Sequence, residues 1–182
     1  MDILRTAGRG SLRRALVSGD ACPDSVTDAC VAILGTRLFP HYGSREMGMA
    51  GAISCEAREG MHLRENDVIA EIVDEAGRVL PTGERGELVV TTIGMEAMPL
   101  IRYRTGDYTR ILPGSCPCGS AALRLNRVTR KARALSADAL DEIVFADPAV
   151  VDCRYEQVGE RLLITALTNG ASDEAALLPR LR

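Results

Sequence analysis

The chain has 182 residues, 46% hydrophobic and 26% charged, with a formal net charge of -3. That is enough apolar side chain for one buried core, or one and a fraction. The slight negative charge excludes the basic face that nucleic acid or an anionic membrane would need, and no apolar run approaches the length of a membrane span.

Met1 to Ser11 lacks the apolar centre of a signal peptide, so the expected setting is cytoplasmic. Leu12 to Ser18 alternates as a strand and runs into the turn Ser18-Gly19-Asp20-Ala21. Asp24 is placed to cap a helix over Ser25 to Leu34, with Val26, Ala29, Cys30 and Ile33 at helical spacing and Gly35 as its stop. Thr36 to Pro40 is a short strand. Such strand-helix-strand units build mostly parallel sheets, and ligands gather at the carboxyl ends of their strands. Ser18 to Ala21 therefore reads either as a ligand-contacting turn or as an ordinary connection. His41-Tyr42-Gly43-Ser44-Arg45-Glu46 follows, where Gly43 permits close approach of backbone to a ligand. His41 reads as a pocket-wall or satisfied histidine rather than a base. Met47 to Ser54 is rich in glycine and alanine and suggests a tight backbone path rather than a helix.

Asp67 to Val73 alternates with β-branched residues and reads as a strand. Asp74 to Gly77 is a hairpin turn, and the chain returns through Arg78 to Pro81. Thr82-Gly83-Glu84-Arg85-Gly86 turns again into the strand Glu87 to Thr92. Then comes Met98 to Asp107, M-P-L-I-R-Y-R-T-G-D. Pro99 belongs at a strand edge or start. Thr105-Gly106 reads as a turn closing a strand, and Asp107 leaves it with a carboxylate aimed into a crevice. Acidic residues so placed can hold the two hydroxyls of a ribose; an arginine-aspartate pair around a turn is also often just a local salt bridge. Tyr108 to Leu112 reads as one more strand.

The run Leu123 to Arg133 is strongly basic and reads as a solvated face. Ser136 is placed to cap a helix over Ala137 to Phe145, ended by Pro148. Val150 to Glu156 and Arg161 to Leu167 read as paired strands, and the polar tail from Asn169 ends in A-A-L-L-P-R-L-R, a broken helix. Lys131 is the only lysine, for which codon bias is explanation enough.

Six cysteines in a chain with no secretory mark point to metal or thiol chemistry rather than disulfides. Cys22 and Cys30 are expected to pack against the core. Cys55, His62 and the pair in Cys116-Pro117-Cys118-Gly119 make three thiols and one imidazole, a closed tetrahedral set suited to structural zinc. The spacing of Cys55 and His62 is wider than in a usual finger, so reduced buried cysteines and an exposed loop pair are the alternative.

In order and spacing, His41 to Glu46, Gly83 to Val90 and Met98 to Asp107 resemble three core motifs of the adenylate-forming superfamily. The nearest likeness is to phenylacetate-CoA ligases and related AMP-dependent CoA ligases, from about Arg13 to about Val151. The resemblance implies a mixed α/β (α+β) fold. Residues 1–124 would be the C-terminal part of a large AMP-binding domain with a β-rich subdomain, and residues 125–182 a hinge and partial α/β lid. It implies that Ser18, Gly19, Asp20 and Ala21 lie beside an adenine, which Tyr42 flanks with Gly43 and Ser44. Arg45 stands where the family has a phosphate-touching threonine; it is larger, but can grip phosphate bidentately. Glu46 would help hold magnesium in the catalytic step, and Asp107 would bind both ribose hydroxyls. Arg127 falls at a nucleotide-contacting arginine, with Asn126 for the usual glycine and Thr129 for the usual hinge aspartate. Some phenylacetate-CoA-ligase-like proteins place a cysteine, a histidine and a Cys-x-Cys where Cys55, His62, Cys116 and Cys118 stand.

Two parts of the family pattern have no counterpart. Nothing between Met1 and Arg13 resembles the Ser/Thr/Gly-rich phosphate loop, and no lysine follows Lys131 to balance charge as adenylate forms. The expectation is thus a fragment of an ATP-dependent carboxylate-CoA ligase, inactive alone. Its parent would use ATP/AMP, Mg2+, CoA and an aryl or other organic acid. The alternative is a non-catalytic, zinc-stabilised binding or assembly module. No nucleic-acid or membrane partner is expected, and a homodimer could form through an exposed apolar face.

Overall fold

The computed structural model describes residues 11–19, 22–130, 137–147, 149–159 and 161–168. In chain order the elements are β1 (Arg14–Val17), α1 (Asp24–Leu34), β2 (Arg37–Ser44), β3 (Gly48–Ser54), β4 (Met61–Leu63), β5 (Val68–Val73), β6 (Gly86–Thr92), β7 (Tyr103–Thr109), β8 (Arg124–Leu125), β9 (Thr129–Arg130), α2 (Ala137–Val144), β10 (Val150–Val158) and β11 (Arg161–Thr168). The chain divides into two compact units. One holds Met1–Ala15, Cys22–Leu38 and Ala134–Arg182; the other holds Leu16–Ala21 and Phe39–Arg133. Among the described residues no helix is long and apolar enough to cross a membrane.

In the first unit, α1 begins one residue earlier than its sequence suggests. Pro23 is the N-cap, and Asp24 is the first helical residue. The Pro23 carbonyl accepts the N–H groups of Val26 and Thr27, both at 3.1 Å, so no side-chain cap is needed. Asp24 still suits the positive end of the helix dipole. Gly35 ends the helix at φ 69° with its N–H on the Val31 carbonyl. Thr27 and Cys30 are the buried residues of this helix, while Val26, Ala29 and Ile33 are half-buried. Farther along, β10 and β11 form the expected antiparallel ribbon, from Val158↔Arg161 at its tip. Helix α2 packs on it through Leu140, Val144 and Val150, all buried. Tyr155 of the ribbon donates its hydroxyl to Asp141 Oδ1 of the helix at 2.7 Å, and burial pushes the Tyr155 phenol well above its ordinary range. Ser136 and the tail from Asn169 lie outside the described residues.

The second unit is two antiparallel sheets around one core. β2 pairs β3, β3 pairs β4 and β4 pairs β8; β5 pairs β6, β6 pairs β7 and β7 pairs β9. Its core draws Ala52, Met61, Leu63 and Leu125 from the first sheet and Val68, Ile72, Leu88 and Val90 from the second. Met47 in the β2–β3 turn completes it, 1% exposed.

Several segments differ from their sequence reading; Tyr108 to Leu112 is not a further strand, because Tyr108 and Thr109 end β7 and only Ile111 makes an isolated bridge beyond it. Met47 to Ser54 is largely a strand, β3, rather than an irregular path. Its small residues let the hairpin close: a Cβ on Gly51 would sit 3.0 Å from Met47 Sδ, and one on Gly43 would sit 3.3 Å from the Ala50 nitrogen. β2 runs on to Ser44, so Tyr42 and Gly43 lie on a strand rather than beyond one. The basic run after Leu123 is not simply a solvated face, because Arg124 and Leu125 of β8 are 4% and 0% exposed.

Gly86 sets the spacing of β5 and β6. A Cβ there would lie 2.3 Å from the Val73 carbonyl oxygen and 2.7 Å from Leu80 Cδ1. Backbone cannot yield as a flexible side chain can. Gly86→Ala is expected to cost about 1–3 kcal/mol, the usual range for overpacking. Urea unfolding would show it as a lower midpoint with an unchanged slope.

Candidate functional site

Asp107 owes its position to a bulge. Gly86 pairs Thr109 and Glu87 pairs Tyr108, but Val89 pairs Arg104. Two steps along β6, from 87 to 89, thus oppose four along β7, from 108 to 104. The Thr105-Gly106 turn of the sequence reading is this bulge inside a continuous strand, with Gly106 at φ 75°. Thr105 Oγ1 donates to the Leu88 carbonyl at 2.8 Å and accepts the Asp107 N–H at 3.1 Å. Glu87, 7% exposed, accepts the Gly106 N–H on Oε1 at 3.2 Å and Arg104 Nε on Oε2 at 2.9 Å. Arg104 Nη2 also reaches Oε2, and the carboxylate raises the Arg104 pKa.

Past the bulge, both Asp107 oxygens are engaged. Tyr42 donates its hydroxyl to Oδ2 at 2.7 Å, and Arg130 Nη1 lies 2.9 Å from Oδ1. Burial, followed by the Asp107 carboxylate, pushes the Tyr42 phenol far above its ordinary range, so it stays a donor. Asp107 and Arg130 are cross-strand partners on β7 and β9. The Asp107 side chain is 14% exposed and that of Arg130 83%. Two motifs distant in sequence therefore meet at one carboxylate.

Glu46 sits in the turn after β2. The Tyr103 hydroxyl lies 3.5 Å from its Oε1, and the Ser44 hydroxyl holds its pKa below the usual carboxylate value, helped by Glu46's own backbone N–H. Arg45 is exposed and Arg127 half-buried, between β8 and β9. Ser18 and Gly19 are exposed just after β1; Asp20 and Ala21 lie outside the described residues. The structure thus joins Tyr42 to Asp107 and Glu46 to Tyr103, two separate hydrogen-bonded pairs that each tie the β2 motif to β7. Tyr103, Glu87 and Arg130 were not singled out from sequence as site residues. Glu87 carried a signal: a carboxylate inside an otherwise buried apolar strand needs a cationic partner.

The second cluster assembles at the other sheet. Cys55 follows β3, His62 lies on β4, and Cys116 and Cys118 lie in the loop between β7 and β8. Cys55 Sγ is 3.6 Å from Cys116 Sγ, Cys118 Sγ is 3.4 Å from His62 Nε2, and all four ligand atoms fall within 4.8 Å of one another. Tetrahedral zinc with bonds of ~2.3 Å to sulfur and ~2.0 Å to nitrogen has ligand–ligand edges of about 3.5–3.8 Å, so the two close pairs fit such an ion. The Cys118 N–H, ahead of the neighbouring thiols and His62, lowers the Cys116 pKa to about 7, while burial pushes the Cys55 thiol up. All these cysteines are free thiols.

Arg124 joins the two ligand loops from inside. Nη1 donates to the Glu59 carbonyl at 2.9 Å. Nη2 reaches the carbonyls of Pro113, Gly114 and Ser115 at 3.2, 3.1 and 3.3 Å. One buried cation thereby satisfies carbonyls from the segment between Cys55 and His62 and from the segment leading into Cys116.

Residues 4–97 match the family described as AMP-binding enzyme. The phenylacetate-coenzyme A ligase of Aromatoleum evansii is 38% identical over 122 residues, covering 65% of this chain and 27% of that protein. That of Escherichia coli strain K12 is 45% identical over 85 residues, 45% of this chain and 20% of that one. The chain thus spans about a quarter of the length of the curated relatives it matches. Among solved structures, 2-hydroxyisobutyryl-CoA ligase in the postadenylation state superposes with a TM-score of 0.77 at 22% identity, covering 94% of this chain and 40% of that one. A benzoate CoA ligase from Burkholderia xenovorans LB400 gives 0.63 at 18% identity, covering 93% and 38%. These two likenesses bear on the fold, a sheet-rich mixed α/β arrangement as the motifs led us to expect. Together with the matched family, they identify the chain as a member of the AMP-binding enzyme family, carrying part of the adenylate-forming ligase fold.

Proposed function

We propose that the chain forms the adenine and ribose end of the nucleotide site of an ATP-dependent carboxylate–CoA ligase. In the whole protein a carboxylate oxygen would attack the α-phosphorus of ATP and expel pyrophosphate. The thiol of CoA would then attack the acyl carbon and release AMP. The names of the relatives favour an aromatic acid such as phenylacetate as the carboxylate. The phosphate loop and lid lysine of that chemistry have no counterpart in these 182 residues, so the complete reaction is assigned to the whole protein and not to this chain alone. The lid is assigned to residues 125–182 and the large-domain portion to 1–124.

The observation that carries this reading is the Tyr42–Asp107 hydrogen bond across two motifs. Each carboxylate oxygen has more than one lone-pair site, so Asp107 can accept two ribose hydroxyls beside its present donors. The Tyr42 ring can then lie against a base. Glu46 would hold Mg2+, and Arg45 and Arg127 would supply positive charge toward the phosphates. Asp20 and Ala21, with Ser18 and Gly19, are assigned to the adenine side. Cys55, His62, Cys116 and Cys118 would hold a structural zinc, a role supported by a closed Cys3His set away from Asp107's hydrogen bonds.

Asp107→Ala is expected to weaken AMP binding about tenfold to a hundredfold, the loss of one or two hydrogen bonds to a charged acceptor. Titration calorimetry of the folded variant checks this. Equal affinity for AMP in the variant and the native chain would remove Asp107 from the site.

A further inference from the structure

We infer that Glu87 is a positioning residue: it fixes the bulge that presents Asp107 and so sets recognition of the ribose hydroxyls. The inference rests on the nucleotide reading of Asp107 given above.

The placement of Glu87 is costly unless it has a task. A carboxylate 7% exposed loses most of its hydration, and it persists only if paired and hydrogen-bonded. An ion pair alone would account for Oε2, which takes Arg104. It does not account for Oε1, which accepts the backbone N–H of Gly106, the residue before Asp107. One side chain therefore grips the bulge on both sides, at Arg104 and at Gly106. Thr105 supplies the other tie, donating to Leu88 and accepting from Asp107.

The geometry between these ties has few substitutes. With Gly106 at φ 75°, its N–H is turned toward β6, where Glu87 is the acceptor. Strand alternation then makes the outcome all or none. A slip of one residue in this register would turn the Asp107 side chain to the opposite face of the sheet. Gly86 completes the device, since its missing Cβ lets β6 begin close against the Val73 carbonyl and so places Glu87. The Gly83–Val90 motif of the sequence, idle in the nucleotide reading itself, thereby becomes the support for the motif that ends at Asp107.

The test uses the 182-residue chain with Glu87→Ala and Glu87→Gln. Glu87 and Arg104 border an open hollow of about 360 Å³ with Glu75, Gly106 and Tyr108, so water can enter where the carboxylate is removed. Amide exchange followed by NMR reads the bulge directly. Glu87→Ala is expected to speed exchange at Gly106 and Asp107 about tenfold or more, while core amides such as Leu88 and Val90 hold. Glu87→Gln keeps an acceptor for the Gly106 N–H and is expected to show a smaller rise. The second readout is the affinity for AMP relative to 2′,3′-dideoxy-AMP. Glu87→Ala is expected to lose most of the preference for AMP and Glu87→Gln a smaller part of it, while binding of the dideoxy nucleotide holds in both; a merely structural role would weaken both nucleotides alike.

Unchanged exchange at Gly106 and Asp107 in a folded Glu87→Ala overturns the inference, whether or not nucleotide binds. Should that variant fail to fold, unchanged exchange and unchanged preference in Glu87→Gln overturn it. A native chain with no preference for AMP defeats the nucleotide reading and the ribose clause with it, while the exchange result still judges the positioning of Asp107.

Discussion

Chelation of the metal from the Cys55–His62–Cys116–Cys118 site is expected to lower the melting temperature of the chain by about 10–20 °C. Structural zinc in small domains contributes roughly 10–16 kcal/mol of apparent binding energy, comparable with the ~5–15 kcal/mol that holds a whole domain together. The loss here is expected to be smaller, because Arg124 already ties the same loops together without metal. About 4–6 kcal/mol, at roughly 2–4 °C per kcal/mol for a chain of this size, gives the stated shift. Metal analysis should find about one zinc per chain before chelation, as a single tetrahedral set requires. A protein purified without metal, whose melting a strong chelator leaves unchanged, would remove the zinc site. The nucleotide motifs would be unaffected by that result.

Arg124→Met is expected to destabilise the chain by about 3–5 kcal/mol, the scale of breaking a buried charged network from one side. The side chain is 5% exposed and bonds four carbonyls as well as lying 3.4 Å from Glu59 Oε2. Methionine fills similar volume but leaves those carbonyls without a donor, and each unsatisfied buried acceptor costs about 1–3 kcal/mol unless water reaches it. Arg124→Lys should recover only part of the loss. A compact ammonium has three donors and cannot span the Glu59 carbonyl and the Pro113–Ser115 carbonyls as a planar fork does. Urea unfolding reads both variants. The loops also carry the four metal ligands, so zinc affinity should fall with stability in Arg124→Met. Native stability in that variant would contradict the account of Arg124.

Legibility in the sequence followed how local each cause was. β5, the turn after it and β6 were readable because alternation and turn residues act within a few positions. The β10–β11 ribbon was readable for the same reason. The convergence of Cys55, His62, Cys116 and Cys118 was legible through the resemblance to family members with a Cys/His set at these positions, since the spacing by itself left reduced cysteines as the alternative. β3 was not, because its glycines and alanines have low strand propensity; they are there to let β2 and the Met47 side chain approach. Arg124 was hidden for the opposite reason. A basic run looks solvated, and only the distant carbonyls of residues 113–115 and Glu59 show why one arginine turns inward. Thr105-Gly106 carried a true signal of positive φ, but β6 decides that it marks a bulge instead of a turn. Asp107 was found by its motif, whereas its partners depend on the fold: Arg130 and, through the bulge, Glu87 on pairing with β7, and Tyr42 on the approach of the other sheet.

The central claim is that Asp107, set by the bulge and met by Tyr42, is built to hold a ribose. Titration calorimetry of the native 182-residue chain with AMP and with 2′,3′-dideoxy-AMP tests it most directly. Both nucleotides are expected to bind, with AMP tighter by about tenfold or more, since the ribose hydroxyls donate to a charged acceptor. Equal affinity for the two, or no binding of AMP to a folded sample, would contradict it.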